Sequence, residues 1–357
     1  MTTFFVGTHP PDGLGTPVGQ GEGIWRAEID ADGVLSAAQI AVEPAPSFAV
    51  AHPRQPLLYA VEESHPTSLA VWNVAELPHE VARVDFDGSQ GCHVLMAPDA
   101  ATVYVCHYGT GEVSVIPLAL DGMPAPAAPA QTISHEGSGP RVDRQTSSHA
   151  HSAAFAPGGR HLLVADLGTD QLRRYTIGED GLLYEPGIAA DLPPGSGPRH
   201  LAVRGESLYV VCELDHRLRT LRWDRASGTA EVIADHPTTL APRRTGDALS
   251  SAHVALVDRH EGDVLLVSVR GADVISVFDV APEGELTYRA AFDVGYWPRH
   301  FAVVGEYLAV GAELGHEVRA FPLAEVLALA PETESGAIAS LPHLSARVTS
   351  PACIVPA

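Results

Sequence analysis

"SSHAHSAAFAPGGRHLLVADLGTD" spans Ser147 to Asp170. It holds a short alternating run, a turn of Pro and Gly, and a second apolar run closed by Asp166. The unit recurs. "SFAVAHPRQPLLYAVEE" (47–63), "CHVLMAPDAATVYVCHYG" (92–109) and "RHLAVRGESLYVVCELD" (199–215) share its form. So do "AHVALVDRHEGDVLLVSVRG" (252–271) and "RHFAVVGEYLAVGAELG" (299–315). A third run follows most copies: "EVSVIPL", "QLRRYTI", "RLRTLRW", "VISVFDV", "EVRAFPL". Alternation with period two between turn signals predicts strands. Copies begin roughly 45–60 residues apart, which is the spacing of four-stranded propeller blades stretched by loops. Six copies are complete. A seventh is built from both ends, with "TFFVGT" and "GIWRAEID" as outer strands and "SPACIVPA" as the innermost one. The expected fold is therefore all-β: a seven-bladed β-propeller, one domain over residues 1–357, its ring closed by the two termini sharing a blade. Closure of this kind removes exposed sheet edges. A steady repeat with no linker between halves argues against two separate sandwiches.

Composition agrees. The 357 residues include 33 glycines and 29 prolines, so the chain is rich in turns. Net charge is −22 and no basic stripe is visible, which excludes a general nucleic-acid binder. Any anionic ligand must then be held by a few well-placed arginines. No segment has the length of a membrane span, and "MTTFFVGTHP" lacks the form of a signal peptide. Cys92, Cys106, Cys212 and Cys353 form no CxxC pair and read as free thiols, so a cytoplasmic setting is expected.

In a blade the first strand lines the channel and the second runs antiparallel to it. The start of one thus lies beside the end of the other, on one rim of the disc. The first-strand positions are Ser47, Cys92, His151, Arg199, Ala252 and Arg299. The second-strand ends are Glu62, His107, Asp166, Glu213, Arg270 and Glu313. Most of these twelve are charged or histidine, a composition that suits a polar site built from several blades.

These residues resemble the seven-bladed propeller lactonases, which include propeller-type 6-phosphogluconolactonases and fungal carboxy-cis,cis-muconate cyclases. "DRQTSSHAHSAAFAPGGRHLLVADLGTD" followed by "GSGPRHLAV" and "CELD" carries the resemblance most specifically, and "LLVSVRGADVISVF", "WPRHFAVVGEYLAV" and "SPACIVP" follow in the family's order. By motif, the resemblance implies a site made of His151 in "HAHS", Arg199 in "GPRH", Glu213 in "CELD" and Arg270 in "SVRG". Two positions depart from the pattern. Ser251 and Ala252 stand where relatives often carry an acid, and Val269 where they often carry Asn or Asp. Both changes thin the polar shell expected around Arg270.

The implied activity is hydrolysis of an anionic sugar lactone, 6-phosphogluconolactone or a relative, without a cofactor. Muconate cyclisation and a non-catalytic, anion- or protein-binding propeller are the rivals. Either Glu213 or His151 is the base. Arg199 or Arg270 stabilises the oxyanion, since a guanidinium suits oxyanions and carboxylates. The expected substrate-binding residues are His149, Asp166, Arg299, Glu313 and His107, with Arg299 helping to anchor the anion. His149 and His151 alone do not make a zinc site, because Asp166 is the only third ligand at hand; no metal is expected. No serine or cysteine sits in a nucleophile elbow. Trp25, Trp72 and Trp223 are expected between blades, "GSGPR" at 137–141 and 195–199 as turns, and 125–133 and 330–342 as surface loops. A monomer or weak homodimer is expected, with no nucleic-acid or membrane partner.

Overall fold

A computed structural model describes residues 1–11, 19–42, 45–244, 246–259 and 262–357. Of the six sequence copies, only positions 260 and 261 lie outside the described residues.

Seven sheets form among the described residues, each built on four antiparallel strands that follow sequence order from the channel outward except in blade 1, whose innermost strand is the last of the chain. The innermost strands are Pro351–Pro356 (blade 1), Pro46–Ala51 (blade 2), Gly91–Met96 (blade 3), Ala150–Phe155 (blade 4), Pro198–Arg204 (blade 5), Ser250–Val257 (blade 6) and Pro298–Val304 (blade 7). Blade 1 closes the ring as expected: Phe4 pairs with Pro356 and Val6 with Ile354, and Ile24–Ile29 and Leu35–Ala41 lie outside. Each apolar cluster is shared by neighbouring blades. Trp72 packs between blades 1 and 2, Trp223 between 4 and 5, and Trp25 against the contact of 1 with 7. A repeated staple joins blades: the Tyr59, Tyr104 and Tyr209 hydroxyls donate to the carbonyls of Gly122, Gly181 and Gly284 in the next blade. Gly122 has φ +84°, and a Cβ there would lie 2.9 Å from the Tyr59 hydroxyl, so glycine is required.

Both presumed loops carry strand. Gln131–Ile133 is the outermost strand of blade 3, and Ile338–Ala339 adds a fifth, parallel strand to blade 6. Three and two residues are too few for alternation to show in a sequence.

One feature positions the site. All seven inner strands are bulged at their entrance, beside Ser47, Cys92, His151, Arg199, Ala252, Arg299 and Ala352. A bulge leaves the extra residue out of the ladder and re-aims its side chain. Two successive residues can then face the channel instead of one in two. The bulged residue points at the mouth and its successor points inward. Those successors include Phe48, His93, His200, His253 and His300, which close a ring of aromatic side chains across the channel with centroid separations of 4.5, 5.6, 5.0, 4.0 and 5.3 Å in turn. His300 Nδ1 accepts the Ile354 N–H at 3.1 Å, and His200 and His253 meet through their Nδ1 atoms at 2.7 Å. The girdle separates the mouth from the far side of the channel.

Deleting residues 350–357 removes the inner strand of blade 1 and its ladder. The expected loss is several kcal/mol, about the worth of one ladder of hydrogen bonds with its buried side chains. Urea denaturation measures it; an unchanged midpoint would show that the ring closes without this strand.

Candidate active site

A cavity of about 900 Å³ opens at the channel mouth, above the girdle. Its buried floor carries His151, Arg199, Glu213, Arg270 and Cys92. The four residues singled out by motif therefore meet in one place.

Glu213 organises them. Arg199 Nε donates to its Oε2 at 3.0 Å, Arg270 approaches the same oxygen at 3.2 Å, and Arg144 donates to Oε1 at 2.9 Å. Burial alone would raise the Glu213 pKa; the three guanidiniums, Arg270 foremost, outweigh it and hold the carboxyl well below its usual range. Arg199 is itself pulled down to about 9 by burial and by Arg270, and so stays charged at neutral pH. Three guanidiniums against one carboxylate leave this floor with two positive charges in excess, in a chain whose net charge is −22. The thinned shell around Arg270 is filled by backbone and a serine. Its guanidinium donates to Ser250 Oγ at 2.6 Å and to the Ser250 and Ser251 carbonyls, while Arg199 takes the Ala252 carbonyl at 2.5 Å.

His151 lines the same floor. Burial and then Arg199 drive its pKa well below the usual histidine value, so the ring is neutral at pH 7 and can accept a proton. Cys92 Sγ lies 3.2 Å from the His151 carbonyl oxygen and 4.0 Å from Nδ1. Burial, with Glu63 beside it, raises the Cys92 thiol pKa strongly, which argues against a thiolate nucleophile.

Arg299 is a separate case. It lines the cavity but is occupied by Glu63 at 3.3 Å and Glu313 at 3.4 Å. His9 completes the group, with Nδ1 at 2.8 Å from Glu313. Burial and Arg299 oppose a charge on His9, but its bonds to Glu313 and Glu63 prevail and raise its pKa. The four residues come from blades 1, 2 and 7, so this balanced network ties the closure seam and leaves Arg299 no free valence for an anion.

His107 and Asp166 do not reach the cavity. By register, Pro46 pairs with Glu62, Gly91 with His107, Ala150 with Asp166 and Pro198 with Cys212. The counterparts of Glu213 are thus Glu63, Tyr108 and Leu167, one residue later, and a one-residue step turns a side chain to the other face. His107 instead bonds Ser114 Oγ at 3.0 Å inside blade 3. Asp166 accepts the backbone N–H groups of His149, Gly168 and Thr169 and the Ser148 hydroxyl, which shapes the approach to His151. His149 does line the cavity, stacked on Tyr108 at 4.4 Å.

The residues that sequence reasoning missed are Arg144, Arg141, Tyr108, Glu63 and Trp297, all lining the cavity. Trp297 carries Arg270 over its ring at 5.8 Å from a left-handed backbone, φ +66°, its N–H held by Asp273 Oδ1 at 2.9 Å. The equivalent position before other inner strands holds Gln90, Gly197 and Ser350, also left-handed. The turn is a property of the repeat, and only here does it present an indole to the site.

Fold and floor together define a propeller with a one-ended, cation-rich cavity at the mouth of a plugged channel. The chain belongs to the family described as "Lactonase, 7-bladed beta-propeller", which matches residues 3–355. It is 29% identical over 316 residues to a 6-phosphogluconolactonase of Bacillus subtilis, covering 84% of this chain and 85% of that one. Among solved structures, a periplasmic gluconolactonase of Pseudomonas aeruginosa superposes with TM-score 0.78 at 24% identity, over 99% of this chain and 98% of that one. A Lactobacillus plantarum protein superposes with TM-score 0.81 at 23% identity, over 99% and 98%. These two likenesses speak for the fold. No helix among the described residues is long and apolar enough to cross a membrane.

Proposed function

We propose that this protein hydrolyses an anionic sugar lactone, of the 6-phosphogluconolactone type. The observation that carries the proposal is the floor around Glu213, where three guanidiniums share one carboxylate. Such a surplus of charge favours an anionic ligand and, more strongly, the oxyanion that forms when water adds to a ring carbonyl. The name of the Bacillus subtilis relative points to the same class of substrate.

His151 serves as the base. It is neutral at working pH and lies on the floor, whereas Glu213 is committed to the three guanidiniums. Water loses a proton to His151 as its oxygen bonds to the carbonyl carbon. Arg199 and Arg270 stabilise the oxyanion. As the carbonyl re-forms, the ring C–O bond breaks and the ring oxygen takes a proton from the imidazolium, giving the open hydroxy acid. Glu213 holds the guanidiniums in place and is a positioning residue.

A panel of phosphorylated and unphosphorylated sugar lactones, followed by the release of acid, tests the proposal; failure to open any of them would favour a binding propeller. Arg199→Lys keeps the charge but loses the planar fork that reaches both Glu213 and the Ala252 carbonyl. It should lower kcat/KM at least about tenfold. An unchanged value would remove Arg199 from the oxyanion site.

A further inference from the structure

The pentapeptide "GSGPR" occurs twice, and each copy delivers an arginine to this cavity. The second copy places Arg199 on the floor, its side chain 4% exposed. The first places Arg141 at the mouth, its side chain 46% exposed. The two segments touch: a Cβ on Gly195 would lie 3.7 Å from Pro140 Cγ and 3.8 Å from Arg141 Cγ.

The arm that carries Arg141 is firmly built. Gln145 is fully buried. Its Oε1 accepts the Arg141 N–H at 3.1 Å, and its Nε2 donates to the Leu167 carbonyl and to Asp170 Oδ1 at 2.9 and 2.7 Å. The Arg144 and Gln145 N–H groups both bond the Arg141 carbonyl, which closes the turn. The base of the Arg141 side chain is therefore fixed while its guanidinium is left in the mouth.

Of the five guanidiniums among the described lining residues, Arg141 has the weakest hold on an acid. Arg144, Arg199, Arg270 and Arg299 each lie within 3.3 Å of a carboxylate oxygen. Arg141 comes no nearer than 3.6 Å, to Asp143, whose side chain is 64% exposed. Among the described residues its guanidinium makes one hydrogen bond, to the Leu214 carbonyl at 3.4 Å. Asp143 and Arg144 line the mouth on the same side as Arg141, and Asp247 stands across it on the loop entering blade 6. An anionic group thus meets two guanidiniums and one carboxylate on the Arg141 side, and a carboxylate at Asp247 on the other.

We propose that Arg141 is the specificity-determining residue for a phosphate ester at the end of the substrate far from its carbonyl. The inference rests on the lactonase reading of this cavity. The floor deals with the carbonyl; the mouth selects what the rest of the molecule carries. A guanidinium with its donors mostly free binds a phosphate by paired N–H groups. This also explains why Arg299, buried and saturated by two acids, is not that anchor.

Two measurements on the full chain test it. The first is the ratio of kcat/KM for 6-phosphoglucono-lactone to that for glucono-lactone. Arg141→Ala should reduce the ratio tenfold or more, mainly through KM for the phosphorylated substrate. Arg141→Lys should restore part of it, and Asp143→Asn should raise it. The second, independent of turnover, is calorimetric binding of 6-phosphogluconate against gluconate. The wild type should prefer the phosphorylated acid, and Arg141→Ala should lose most of that preference. If Arg141→Ala leaves both the kinetic ratio and the binding preference unchanged, or lowers the two lactones equally, the proposal is overturned. A wild type that opens neither lactone but prefers the phosphorylated acid through Arg141 removes the lactonase reading and keeps the anion site. A wild type that does neither removes both.

Discussion

Glu213→Gln should lower kcat/KM for a phosphorylated sugar lactone by about a hundredfold or more, the scale of losing a preorganised oxyanion stabiliser. The cause is geometric. Arg199, Arg270 and Arg144 are aligned by one carboxylate, and a neutral amide accepts too weakly to hold three like charges together. Removing one partner of a buried ion pair also destabilises proteins by about 3–5 kcal/mol. Added phosphate should therefore raise the Tm of the variant more than that of the wild type, because an anion can replace the missing charge. The pH profile separates positioning from proton transfer. A base must be unprotonated to act, and the His151 pKa is depressed by burial and Arg199. Wild-type kcat/KM should stay level as pH falls through 6.5 and drop only below it. In Glu213→Gln the acid limb should remain, at a much lower rate; in His151→Asn it should vanish. An acid limb lost in Glu213→Gln and kept in His151→Asn would exchange the two roles.

How much of this was legible in the sequence follows from periodicity. The blades were, because each repeats an alternating run, a turn and a second run, and because "SPACIVPA" had no partner in its own neighbourhood. His151 and Arg199 do lie at the entrance of inner strands, each one residue inside it, although their exit from the ladder at a bulge leaves no mark in the alternation. The same bulges hid the histidine girdle. Strict alternation turns His200 away from the channel if Arg199 faces it, yet both face it. Counting second-strand ends without the register gave Glu62, His107 and Asp166 where the ladder gives Glu63, Tyr108 and Leu167. Arg141, Arg144 and Trp297 come from loops, whose path no period predicts. The repeated "GSGPR" is a hint for Arg141: its second copy ends in Arg199, a site residue, and reading the first copy only as a turn passes over the arginine that ends it.

Between pH 7 and pH 5 the protein should lose several kcal/mol of stability, largely through the girdle. Burial lowers the pKa of His93 and His300 to about 3, with Arg199 adding to it, and drives His200 and His253 well below the usual value. The unfolded chain takes up these protons near pH 6.5 and the folded chain does not, so acid favours unfolding. Each such histidine costs the fold about 1.4 kcal/mol per pH unit once below 6.5. For His93 and His300 that is about 2 kcal/mol each by pH 5, and His200 and His253 act in the same direction. The buried acids do not share this window. Glu63, Glu213 and Glu313 have lowered pKa values, so the stability they contribute is lost only below the ordinary carboxylate range. His9 acts in the opposite sense, since its raised pKa favours the folded state in acid, but buried His107 and His151, with lowered values, add to the girdle's loss. Urea midpoints at pH 7 and pH 5 measure the loss. His93→Phe sets a ring beside Phe48, 4.5 Å from the present imidazole, and removes one titrating group from the girdle. Its stability should fall by about 2 kcal/mol less than the wild type's over this interval. Equal midpoints at the two pH values, or a His93→Phe variant as acid-sensitive as the wild type, would mean that the girdle takes up protons in the folded state, with water in the channel solvating them.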